Sequence, residues 1–194
     1  MFMRKPLAAL FLGAFIASLA TQLPAAVIPP VGLAPGSQYQ VIFVTGTTTN
    51  ANSADIGYYN NIVQTEAGVA AAFFGLPGGL TWHAVASTPT TDARDNAPSL
   101  GLPVYNTHGQ LVSPSNIYAG SLQMPVFYNA IGNPYTVANA AVWTGSDPFG
   151  VGLAGLTLGG PGPTGEVGLA GVAGGFGWTT ILLCILATPS RSTR

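Results

Sequence analysis

A chain of 194 residues is long enough for one sizeable core and short for two. Charged residues make up 6% of it and the net charge is −1, which excludes the basic surface that nucleic acid or an anionic membrane would need. A single cysteine, Cys184, excludes an intramolecular disulfide, so burial must hold the fold.

The first 26 residues, MFMRKPLAALFLGAFIASLATQLPAA, have the order of a secretory signal peptide. Arg4 and Lys5 form a positive start, and Leu7 to Ala17 an apolar run too short to span a bilayer stably. Small residues follow, with Ser18-Leu19-Ala20 and Pro24-Ala25-Ala26 as candidate cleavage sites. Removing the segment takes Arg4 and Lys5 with it and leaves a mildly acidic, exported chain.

Residues 27–38, VIPPVGLAPGSQ, form a Pro/Gly leader without periodicity. YQVIFVTG (39–46) predicts a strand, β-branched and aromatic. Ser53 and Asp55 suit a helix N-terminus, and Ile56, Tyr59, Ile62, Val63, Glu66 and Ala67 then recur at helical spacing. A helix over 54–74 follows, stopped by Gly75 and Pro77. LTWHAVA (80–86) predicts a strand with Trp82, Ala84 and Ala86 on one face and His83 on the other, as a hydrogen-bonded structural histidine. DARDNAPSLGLPVYNTHGQLV (92–112) concentrates Asp92, Arg94, Asp95 and His108. Within it residues 102–112 predict a short hairpin with His108 in the turn. VANAAVWT (137–144) is a further strand, running into the GSDPFG turn. Strands and one helix without βαβ repetition give an α+β class.

These segments, in this order over roughly residues 39–150, resemble the endostatin module of the multiplexin collagens. YQVIFVTG, WHAVAST leading to ARDNA, LPVYNTHGQLV, SPSNIYAGS and AAVWTGSDPFG carry the resemblance. The DARDNAP and VWTGS pattern is similar to a domain of exported bacterial proteins with PEP-CTERM sorting tails. The resemblance implies a single C-type-lectin-like domain over 39–187, one main helix packed on short, mostly antiparallel strands, with a sheet-closing strand near the C-terminus. Trp82 and Trp143 would both be buried. It also implies a structural cluster and binding loop of Asp92, Arg94, Asp95, Trp143, Ser146 and Asp147, in which the first three bond to nearby backbone or to one another. Endostatin's zinc and heparin sites do not carry over. No histidine precedes His83, and Arg94 is the only arginine in the region. WTGSDP offers one carboxylate, too few oxygens for calcium, so no metal or cofactor is expected.

Other chemistry finds little support. GVGLAG (150–155) matches a dinucleotide-binding string, but a turn precedes it and LTLGGPGPTG follows, where a helix is required. No G-x-S-x-G elbow occurs. The expectation is a non-enzymatic exported domain of the envelope or extracellular matrix, binding polysaccharide or an envelope protein. The alternative is an envelope hydrolase using His83 or His108 with Asp92 or Asp95. From Val167 to Ala187 no charge occurs, so the apolar, Gly-rich segment 165–187 could anchor in a membrane. Its glycines, and the ten-residue length of WTTILLCILA, favour a buried strand instead, ahead of a polar tail at 188–194.

Overall fold

A computed structural model describes residues 27–47, 49–134 and 141–160, with two further three-residue strands at 167–169 and 183–185. The domain is α+β. Its central sheet contains β1 (Gln40–Val44), β2 (His83–Val85), β3 (Val104–Asn106), β4 (Leu111–Ser113) and β7 (Leu183–Ile185), in the order β2-β7-β1-β3-β4. Only β1 and β3 run parallel; β1 with β7, β2 with β7 and β3 with β4 are antiparallel. A two-stranded sheet pairs β5 (Ala141–Trp143) with β6 (Val167–Leu169). The main helix, α1, spans Ile56–Phe73, and a four-residue turn of helix, α2, spans Ala93–Asn96.

β1 is buried along its whole length, and its period of two divides the core. Val41 and Phe43 join Tyr59, Val63, Ala67, Ala70, Trp82, Ala84 and Ala86 under α1. Ile42 and Val44 join Val85, Val104, Val112, Ile117 and Val126 on the opposite face. Tyr59, Val63, Ala67 and Ala70 make one stripe on α1, as helical spacing requires. The helix starts where the Asp55 carboxylate accepts from Gly57 N–H at 2.8 Å. It ends at Phe74, with Gly75 beyond it at φ 83°.

Trp82 is buried as expected. The side chain of Trp143 and residues 137–140 lie outside the described residues, as do residues 1–26 and 188–194. Within the apolar C-terminal segment, Leu183–Ile185 is hydrogen-bonded to β1 on one side and β2 on the other. Among the described residues no helix is long and apolar enough to cross a membrane.

Three loops share one construction. At Asn106, Asn129 and Asp147, a side-chain oxygen accepts the N–H groups of residues two and four further on, at 2.9–3.2 Å. In each, the residue three further on is a glycine at positive φ: Gly109, Gly132 and Gly150. The sequences are NTHGQ, NAIGN and DPFGV. A short acceptor side chain nucleates the turn, and glycine supplies the left-handed conformation that closes it.

Candidate functional site

The Asp92 region sits on the sheet face away from α1, and its organiser is Ser87. Ser87 is fully buried and uses every polar group it has. Its N–H donates to Thr144 O (2.7 Å) and its carbonyl accepts from Leu158 N–H (2.9 Å). Its hydroxyl meets Ser146 Oγ at 2.8 Å and accepts from Ala93 N–H at 2.8 Å, at the start of α2. Gly145, at φ 63°, makes the approach possible, because a Cβ there would come within 2.6 Å of the Ser87 carbonyl.

Asp92 ties the same two segments together. Its Oδ1 accepts from Gly152 N–H at 2.8 Å, across 60 residues of chain. Its Oδ2 lies 3.4 Å from the Arg94 guanidinium, a partly exposed pair of small energetic weight. Arg94 N–H donates to Gly150 O at 3.2 Å. The Tyr118 hydroxyl reaches the carbonyls of Ala93 and Ala97 at 3.0 and 2.8 Å. Burial pushes the Tyr118 phenol well above its usual range, and the charge of Asp95 adds to that.

The expected cluster is therefore brought together in part. Asp92, Arg94 and Ser146 belong to one junction. Asp147 closes its own turn, and Ser146 is too buried to meet a ligand. Asp95 corrects the expectation. It is exposed, and among the described residues its carboxylate makes no hydrogen bond or ion pair, because α2 turns it outward from the junction. His83 departs from the expected hydrogen-bonded histidine at one nitrogen: its Nδ1 is enclosed and has no hydrogen-bond partner among the described residues. His108 sits in the hairpin turn as expected and stacks on Tyr128, ring centroids 4.4 Å apart.

Several residues that position this region gave no motif. Asn60 and Asn96 form a reciprocal amide pair at 2.8–2.9 Å. Asn60 also accepts from Ala84 N–H and Asn96 donates to Ala84 O, at 2.8 and 2.7 Å. Gln64 does the same for Trp82 N–H and Leu80 O. Asn60 and Gln64 lie four apart on α1, so one helix face closes the outer edge of β2 with side-chain amides. Buried Gln40 likewise donates to Pro98 O and accepts from Leu100 N–H. Two amides four apart beside the apolar stripe were a usable sign for Asn60 and Gln64; for Gln40, Ser87 and Asn96 there was none.

Two clefts open on this face and share Asp95. One, of about 470 Å³, lies between residues 88–92 and 152–157 and is lined by Thr88, Thr90, Thr91, Asp92 and Thr157. The other, of about 420 Å³, is lined by Arg94, Asn116, Tyr118 and Phe149. Neither histidine lines these clefts, and the salt bridge among the described residues joins Arg94 to Asp92, not a histidine to a carboxylate. The histidine–aspartate contact that a hydrolase would need is not found among the described residues. Among them no three metal-ligating side chains converge. No protein-family model matches the chain, and no curated protein matches it.

Proposed function

We propose that this chain is an exported, non-catalytic binding domain of endostatin-like, C-type-lectin-like architecture, acting in the cell envelope or extracellular matrix. Its proposed ligand is an uncharged extracellular polysaccharide, held along the clefts that meet at Asp95. The signal-like N-terminus supports export. The antiparallel pairing of β1 with β7 supports the architecture, since the resemblance calls for a late strand that closes the sheet.

One observation carries the ligand. The 470 Å³ cleft is lined by threonines and carboxylates, while its walls are fastened by the bond from Gly152 N–H to the Asp92 carboxylate and by the backbone bonds of Ser87. Thr90 and Thr91 hold the accessible hydroxyls of this rim, since Thr88 and Thr157 are buried. With the Asp95 carboxylate left unpaired they suit sugar hydroxyls, and a fixed backbone loses little entropy on binding. An anionic glycan would meet the Asp95 charge.

A glycan array probed with the exported protein tests this reading. Binding to neutral glycans is expected, and Asp95→Asn should weaken it roughly tenfold, the worth of one charge-assisted hydrogen bond. A folded protein that binds no glycan, yet captures an envelope protein, would replace the polysaccharide with a protein ligand.

A further inference from the structure

The first described residue makes a specific contact. Val27 N donates to Phe74 O at 2.9 Å, and Phe74 is the C-cap of α1. Ile28 N–H donates to Thr107 O at 2.8 Å. The Ile28 and Pro29 carbonyls lie so close to Gly109 that a Cβ there would approach within 2.9 Å. The Val27 side chain packs on the core under α1. The leader is thus docked from its first residue, with its nitrogen at the helix end.

That end carries a charge problem. An 18-residue helix presents roughly half a negative charge at its C-terminus, and α1 has no basic residue in its last turn. Of the two cleavage sites in the sequence, the one after Pro24-Ala25-Ala26 would make Val27 N the new terminus. We infer that the chain is cut between Ala26 and Val27, and that the α-ammonium of Val27 caps α1. A signal peptidase would add water across the Ala26–Val27 amide. The C–N bond breaks, Ala26 keeps the oxygen as a carboxylate, and the Val27 nitrogen becomes NH₃⁺. One neutral N–H donor at Phe74 O is replaced by a charged group with three. This rests on the export reading for the cut, and not on any ligand.

The sequence supplies a clean test. Its single lysine is Lys5, so after the cut the Val27 α-amine is the only primary amine in the chain. The intact mass of the exported protein should begin at Val27; a start at Thr21 overturns the assignment, and an uncleaved chain overturns export as well. Independently of export, recombinant protein beginning at Val27 can be acetylated, which removes the charge, or reductively methylated, which keeps it. The amine should react at least tenfold more slowly in folded protein than in urea. Acetylation should lower Tm by about 1–4 °C, and methylation by less. Equal reactivity in both states, or acetylated and methylated chains with the same Tm as the unmodified one, would overturn the cap.

Discussion

On the α1 face of the sheet, Phe43, Trp82, Tyr59 and Val63 bury apolar surface with a regular period. On the opposite face an apolar layer also exists, but the segments that cover it are irregular and are fastened by Ser87, Asp92, Tyr118 and Ser146. The first face is held by non-directional burial, tolerant of detail. The second depends on single atoms at fixed places, where each unmade bond strands a buried partner. The clefts open on the second face. Their rims are loops with little apolar surface, and such bonds fix that backbone.

Substitutions can break this contrast at either side. Phe43→Ala should cost about 3–5 kcal/mol in urea unfolding, through lost burial and a cavity. Gly145→Ala adds a single methyl, yet should cost a comparable amount, about 3–5 kcal/mol, because the new Cβ would sit 2.6 Å from Ser87 O and 2.7 Å from Leu158 N. If Gly145→Ala costs less than about 1 kcal/mol, the junction is looser than these contacts require.

Asn60 and Asn96 stand between the two regimes, since their amide pair joins α1 to α2 across the edge of β2. Either change to alanine should cost about 2 kcal/mol by stranding Ala84 and the other amide. The double variant should cost about 1 kcal/mol less than the two together, as read from a double-mutant cycle.

The acidic pair sharpens the comparison further. Asp92→Ala should destabilise by about 1–2 kcal/mol through the lost Gly152 bond, whereas Asp95→Ala should stay within about 0.5 kcal/mol, as for an exposed residue. Chemical denaturation of both at neutral pH separates them.

Tyr118→Phe should cost about 1 kcal/mol at neutral pH and flatten the alkaline limb. Burial raises the Tyr118 and Tyr59 phenols above their ordinary value of 10.0. Folding therefore keeps a proton that the unfolded chain releases above that pH. The contribution is complete below pH 10.0 and is lost as pH rises above it. Wild type should lose stability more steeply there than Tyr118→Phe, which retains only the Tyr59 share.

Much of the framework is written in local pattern. The alternation of YQVIFV, the helical stripe from Ile56 and the stop at Gly75 and Pro77 mark β1 and α1, because burying one face imposes a period on the chain. The N-x-x-G and D-x-x-G turns at 106, 129 and 147 are equally local, since acceptor, donors and glycine lie within five residues of one another. Tertiary structure alone decided the rest. It set β7 between β1 and β2, joined Asp92 to Gly152 and Ser87 to Ser146, and turned Asp95 outward. A hydrogen bond across 60 residues leaves no period in the sequence, since one correctly placed oxygen satisfies it. A serine that organises a junction therefore looks, in sequence, like any other serine.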